Sequence, residues 1–234
     1  MRGNIGYLGL IIFGLLAFIS STEAQLQMNF YAKSCPKAEK IVSDFVNEHI
    51  HNAPSLTASF IRMHFHDCFV RGGPSWQVPT GIRDGVISRS SEATAIPAPF
   101  ANITTLQTLF ANQGLDLKDL VLLSGAHTIG MAHCSTISDR LSPDDTTTKI
   151  EMDPGSRKTF DLSYYSLLLK RRGLFESDAA LTTNSVSLSF INQILKGSLQ
   201  DFFAEYANSM EKMGRINVKT GSDGEIRKHC AVVN

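Results

Sequence analysis

Apolar positions recur along most of this chain at helical spacing. Residues 38–49 place Ile41, Val42, Phe45 and Val46 toward one face, as an amphipathic helix would. Ser55 can cap a second helix running through Arg62 to Cys68, with Pro54 just outside it. Residues 72–84 are rich in Gly and Pro and read as loop. A short helix is predicted over 102–110, with Gly114 as its stop. Asp116 followed by Asp119 opens another, which sets Leu120, Leu123 and His127 near one face. Residues 142–156 are polar with two prolines and read as loop. Residues 164–172 predict a helix that ends at Gly173, with three cations in its last turn to suit the dipole. The longest helical stretch is 190–213. Strand signals are limited to short pieces such as 215–218. The expected class is mostly α.

Composition narrows the function. The 234 residues suffice for one large domain or two modest ones, and 43% hydrophobic content supports a globular core. The 22 basic residues balance 22 acidic ones, so charge gives no sign of nucleic acid or of an anionic membrane surface as partner. The first 24 residues read as a secretory signal. Arg2 supplies the positive charge, residues 8–19 are almost wholly apolar, and Ser20, Ser21, Thr22 and Ala24 are small. Cleavage after Ala24 starts the mature domain, 25–234, at Gln25. The apolar stretch is short for a membrane span. Secretion implies an oxidising compartment, where Cys35, Cys68, Cys134 and Cys230 could form two disulfides in three connectivities. Asn102-Ile103-Thr104 is a glycosylation acceptor pattern in that setting.

The chemistry concentrates in two runs. Arg62-Met63-His64-Phe65-His66-Asp67-Cys68 puts Arg62 and His66 four residues apart, on one helix face. A fixed positive charge beside a proton carrier suits cleavage of a peroxide, which moves a proton between two oxygens. The surroundings (Phe60, Ile61, Met63, Phe65, Phe69, Val70) are apolar, so the basic pair needs a ligand to justify it. A different reading takes His64-x-His66 on a strand, both imidazoles on one side and Asp67 nearby, as a hydrolytic metal site. The second run, 123–130, carries His127, a candidate axial ligand to a haem. Such a ligand needs an acidic partner. Asp153, Ser156, Thr159 and Asp161, with Thr128, form an oxygen-rich cluster that could hold calcium or simply cap a turn.

Together these runs resemble the class III secretory plant haem peroxidases. The resemblance rests on Ser34-Cys35-Pro36, residues 62–70, Gly73-Pro74-Ser75-Trp76, Ile96-Pro97-Ala98-Pro99, and residues 120–130. It continues through 153–165, 173–178 and Met213-Gly214. It implies a two-lobed, mostly α fold around haem b, with an incomplete distal lobe. It implies peroxide removal in the oxidative stress response, with hydrogen peroxide and small phenolic donors as substrates. The protein would be a monomer, secreted to the extracellular space or cell wall, or sent to the vacuole, with no membrane attachment after signal cleavage.

Residue roles follow from the same likeness. His66 matches the distal base, and Arg62 the residue that offsets charge on the departing oxygen. Phe65 matches the aromatic at the haem edge. His127 matches the proximal iron ligand, with Asp178 as its hydrogen-bond partner. Pro97 matches the substrate-channel proline. Asp67, Val70 and Gly72 match part of a distal calcium site. Thr128, Asp153, Ser156, Thr159 and Asp161 match a proximal one.

Two departures stand out. The family pattern carries a block between Gly72 and Gly73 that this chain lacks, and a shorter one after Leu141. The first would hold the remaining distal calcium ligands and the Asn that orients the distal His. Each of the four cysteines matches a family cysteine whose partner falls in one of those blocks, so all four are expected to lack their native partners. Ile82 stands where the family usually has Arg. An alternative is therefore a shortened gene product, with impaired haem binding and no catalysis.

Overall fold

The computed structural model describes residues 26–53, 79–87, 89, 91, 96–133, 137, 148–229 and 232–234. The described residues divide into two compact units. One joins the segment ending at Pro36 with residues from Pro79 onward and Val218–Asn234. It is built from turns and isolated antiparallel bridges: Gln27 with Thr80, Arg83 with Lys219, and Asp84 with Glu225. The Arg83 guanidinium donates to Gly224 O at 3.2 Å, and the Arg227 guanidinium to Gly85 O at 2.7 Å. Gly224 has φ +72°, and a Cβ there would lie 2.3 Å from Asp84 O, so only glycine suits it.

The other unit is helical. In chain order it holds α1 (Ala38–Asn52), α2 (Ile103–Asn112), α3 (Leu117–Ser124), α4 (Ser163–Leu169), α5 (Glu176–Ala180), α6 (Ser185–Lys196) and α7 (Leu199–Gly214). A two-stranded antiparallel ribbon pairs β1 (Met131–His133) with β2 (Lys149–Glu151). Helix α3 is its spine. Leu120, Val121, Leu122 and Leu123 are all buried, so the helix is apolar on every side, and α2, α6 and α7 pack around it. Burying each such side chain stabilises the fold by roughly 1.5–3 kcal/mol. Behind α3, Phe160, Tyr165, Phe202 and Tyr206 form an aromatic layer. Phe160 stacks on Phe202 at 5.7 Å and meets Tyr206 edge-on at 5.0 Å.

The predicted helices over 38–49 and 102–110 form and run slightly longer, and Asp116–Asp119 caps α3 as expected. Four expectations are corrected. The helix placed at 164–172 stops at Leu169, because Arg171 takes the left-handed conformation (φ +58°) in place of Gly173, so the three cations lie past its end. Gly173 is needed for another reason: a Cβ there would come within 2.9 Å of Asp178 Cβ and Leu168 Cδ2. The stretch 190–213 is two helices, broken at Gly197, where Ser198 and Asp201 form a capping box that starts α7 afresh. Residues 149–151, expected as loop, form β2. Residues 215–218, expected as a strand piece, are turn over 215–217 and irregular at Val218, with Asn217 at φ +50°.

Expectations for the signal segment, the helix through Arg62–Cys68, and Cys68, Cys134 and Cys230 lie outside the described residues. Cys35 is an exposed free thiol. Among the described residues no helix is long and apolar enough to cross a membrane.

Asp119 ties the spine to α7. Its carboxylate caps α3 through the Asp116 N–H at 2.9 Å, accepts from Ser209 Oγ at 2.9 Å, and pairs with Lys212. Burial pushes its pKa up, but the Lys212, Asp116 and Ser209 bonds outweigh this and hold it below the ordinary value. Asp119→Ala is expected to cost about 2 kcal/mol, read as a lower urea midpoint. A depressed carboxyl stabilises fully above its unfolded pKa near about 4, and that stabilisation is lost as pH falls through the folded value. Asp119→Asn should therefore flatten the acid limb of a stability–pH curve.

Candidate functional site

The site grows from the end of α3. Gly125 cannot carry a side chain, since a Cβ would lie 2.5 Å from Tyr165 Oη and 2.9 Å from Phe202 Cζ. With the chain pressed this closely on the aromatic layer, the helix tightens into a 3₁₀ turn, Gly125–Thr128. The Gly125 N–H turns to Leu122 O and Leu123 O, and the Tyr165 hydroxyl donates to Val121 O at 2.9 Å. Burial, then the neighbouring Tyr206, pushes the Tyr165 phenol well up, so it stays a donor. That turn presents His127 with its ring about one-third exposed and sends the next residue, Thr128, inward to full burial.

His127 is gripped from one side. Its Nδ1 lies 2.7 Å from Asp178 Oδ1. Asp178 is 2% exposed and acts as acceptor, so Nδ1 carries a hydrogen and Nε2 is the ring nitrogen left outside this bond. The carboxylate is itself fixed: Tyr164 Oη donates to Oδ1 at 2.9 Å and the Phe175 N–H to Oδ2 at 3.0 Å. The second of these is the capping bond of α5, which is why so short a helix holds its place. Burial first, then the Asp178 charge, pushes the Tyr164 phenol well up and keeps it protonated. Phe175 and Tyr164 meet the imidazole edge-on at 5.5 and 6.0 Å and set its plane. An imidazole so oriented, with Nε2 left over, is a metal ligand in waiting. An imidazole held in this way would suit a haem iron.

The oxygen cluster lies directly behind. Met131 pairs with Glu151, and the Met152 N–H donates to Gly130 O at 3.1 Å. Continued by two residues, that antiparallel register sets Asp153 opposite Ile129, the neighbour of Thr128. Thr128 Oγ1 lies 3.3 Å from both Asp153 Oδ2 and Asp161 Oδ1, and 3.5 Å from Thr159 O. Ser156 Oγ donates to Asp161 Oδ2 at 3.0 Å. The Ser163 hydroxyl touches both carboxylates. Burial, with Asp161 as a like charge, raises the Asp153 pKa despite the Ser163 bond. At Asp161 burial raises the value, but bonds from Ser163, Ser156 and Thr128 outweigh it and lower it. Two carboxylates crowded among hydroxyls and one carbonyl form an all-oxygen set of the kind that suits a hard cation.

The structure thus brings together His127 and Asp178, and separately Thr128, Asp153, Ser156, Thr159 and Asp161. Pro97 is exposed on a segment joined to α5 by the Ser177 N–H···O=C Pro99 bond at 2.9 Å. Arg62, Phe65, His66, Asp67, Val70 and Gly72 lie outside the described residues. Sequence reasoning missed Tyr164 and Ser163. Asp161-x-Ser163 is a readable turn signal, since the Ser163 N–H donates to Asp161 Oδ1 at 2.8 Å. Nothing local announces Tyr164, which acts across 14 residues.

A family model described as Peroxidase matches residues 71–197. The chain is 50% identical to Peroxidase 3 of Arabidopsis thaliana over 315 aligned positions, which cover 96% of this chain and 97% of that protein. It is 49% identical to Peroxidase 39 of Arabidopsis thaliana over 318 positions (96% and 97%), and 36% identical to Peroxidase 1 of Oryza sativa subsp. japonica over 312 (93% and 96%). Each alignment is longer than the 234-residue chain, so each relative carries stretches that face gaps here.

The Asp178 grip predicts a stability effect. Asp178→Ala leaves the buried Tyr164 hydroxyl and the Phe175 N–H without an acceptor, and should cost about 3 kcal/mol in urea unfolding. Asp178→Asn keeps an acceptor oxygen and should lose less than half of that.

Proposed function

The chain belongs to the peroxidase family, and on that premise we propose that it is a secreted haem-dependent oxidoreductase that reduces hydrogen peroxide at the expense of small phenolic donors. The observation that carries the reading is the His127–Asp178 pair, held by Tyr164 and the Phe175 N–H. When bound, haem would supply the iron that takes up peroxide and passes its oxidising power to donors in single-electron steps. His127 would hold that iron through Nε2. Asp178, by holding the Nδ1 hydrogen, fixes which ring nitrogen faces the iron and stops the ring from turning. His66 would take a proton from one peroxide oxygen and return it to the other. Arg62 would offset negative charge on the departing oxygen. Pro97 would border the donor's approach, and its exposure supports that role. In the cell this chemistry serves peroxide removal under oxidative stress.

Calcium completes the proposal. Thr128, Asp153, Ser156, Thr159 and Asp161 would hold it directly behind His127, and Asp67, Val70 and Gly72 would contribute to a second ion. The first ion would neutralise the Asp153–Asp161 repulsion and so stiffen the turn that presents the imidazole.

A second reading keeps the fold and drops the catalysis. Relatives carry stretches that this chain lacks, and Cys35 stands as a free thiol, as it would with its partner cysteine gone. In that case the shortened chain takes up haem loosely and does not turn over.

Expression from Gln25, addition of haemin and a visible spectrum separate the two. The first reading expects a five-coordinate ferric spectrum and guaiacol oxidation, with iron ligation lost in His127→Ala. In His66→Ala haem stays bound while peroxide cleavage slows by at least about a hundredfold. Haem uptake without guaiacol turnover in the unaltered chain would establish the second reading. Saturating calcium should raise the melting temperature by a few degrees, about 2–4 °C for each kcal/mol of binding. Asp153→Ala should abolish that rise.

A further inference from the structure

We propose that Tyr164 is a positioning residue for the iron ligand. Its hydroxyl and the His127 ring donate to one and the same oxygen of Asp178, and this sharing limits how much electron density Nε2 would offer a bound iron. The proposal rests on the haem reading above.

The geometry is that of two donors on one acceptor. His127 Nδ1 lies 2.7 Å from Asp178 Oδ1, and Tyr164 Oη donates to that same atom at 2.9 Å. A carboxylate oxygen has two lone pairs, and here both are engaged. The other oxygen, Oδ2, accepts the Phe175 N–H at 3.0 Å as the cap of α5. A turn of the carboxylate that gave each donor its own oxygen would break that cap. The phenol is held as firmly. Tyr164 is 2% exposed in α4, and the next residue, Tyr165, is fully buried with its hydroxyl tied to Val121 O at 2.9 Å. The two tyrosine rings meet edge-on at 5.1 Å.

Both bonds to Oδ1 are charge-assisted, so each draws on negative charge that the other would otherwise have. Without the phenol, the full charge of Oδ1 would act on the Nδ1 hydrogen. The imidazole would then carry more negative charge, and Nε2 would offer more electron density to a metal. Hydrogen bonding behind a ligand is one of the means by which a protein sets the potential of haem iron. An electron-rich ligand favours ferric over ferrous iron. The Tyr164 hydroxyl thus keeps the ferrous state within closer reach than an Asp–His pair alone would. The same side chain has a second, separable role, because its ring meets the imidazole edge-on at 6.0 Å. Tyr164→Phe keeps that ring and removes only the shared bond.

The test compares the chain from Gln25, loaded with haemin, in unaltered and Tyr164→Phe forms. Loss of the hydroxyl should shift the ferric–ferrous equilibrium about tenfold toward ferric, or about 59 mV for one electron. The iron–nitrogen stretch of the ferrous form, read by resonance Raman, should move to higher frequency. Site-specific 3-fluorotyrosine in place of Tyr164, a stronger donor of nearly the same shape, should move both readouts the opposite way. A Tyr164→Phe chain that unfolds at lower urea while potential and stretch stay unchanged makes Tyr164 a purely structural residue and overturns the proposal. Should Tyr164→Phe fail to fold, the fluorotyrosine chain decides alone, and no shift there is equally fatal. Failure of the haem reading looks different: the unaltered chain takes up no haem, or His127→Ala holds it equally well, and the proposal then falls with that reading.

Discussion

One buried carboxylate organises the described half of the site. Asp178 accepts from an imidazole, a phenol and a backbone N–H at once, and each donor comes from a different element. A charge this deep is tolerable only because all three donors converge on it. The requirement also runs backward into the fold. Phe175 must sit at the start of α5, Tyr164 must face inward from α4, and Gly173 must lack a side chain so that the two helices can close on Asp178. Remove the carboxylate and the imidazole, the Tyr164 hydroxyl and the Phe175 N–H lose their shared acceptor together.

The other constraint is the end of α3. A helix apolar on every side has to be surrounded, and its neighbours fix where it stops. The stop falls at Gly125, where Tyr165 and Phe202 leave no room for a Cβ. The next turn parts His127 and Thr128 in opposite directions, one toward Asp178 and partial exposure, the other into the oxygen cluster. Adjacent residues thereby couple two sites through a single peptide. The Asp153 and Asp161 carboxylates thus meet the chain one residue from the imidazole.

Sequence made some of this legible and hid the rest for physical reasons. Short-range chemistry could be read. Asp116 with Asp119, and Asn102 with Gly114, mark helix ends by bonds that span three or four residues. The same kind of signal at Ser198–Asp201 was present and was overrun by an apolar period that continues smoothly across the break. Arg171 shows the limit of residue preference: tertiary packing put a cation where glycine was expected to turn the chain. The convergence on Asp178 spans 51 residues to His127, and no local pattern encodes it; a family likeness supplied it. The oxygen cluster was half legible, because Asp161-x-Ser163 is local whereas Thr128 arrives through the β1–β2 register.

The two halves of the proposed chemistry rest on different parts of the chain. Among the described residues, the bonds that hold His127 and Asp178 lie between residues 121 and 178, and α5 is anchored in turn to Pro99 O. The residues proposed to cleave peroxide belong to 62–72. The helix preceding them, α1, leaves Ile41, Val42 and Phe45 between 55 and 60% exposed. An apolar stripe at helical spacing is normally a packed one, and the relatives carry stretches that this chain lacks. On the proposed reading, holding haem and turning over peroxide are therefore separable demands. The first draws on a network whose donors and acceptors are all present and matched. The second is proposed for residues 62–72, close in sequence to the point where the family pattern carries a block that this chain lacks. On that reading a chain shortened in this way should lose catalysis before haem binding, because proton transfer between two oxygens fails with a small misplacement of the base, whereas holding the iron would need only the one imidazole that Asp178 already fixes.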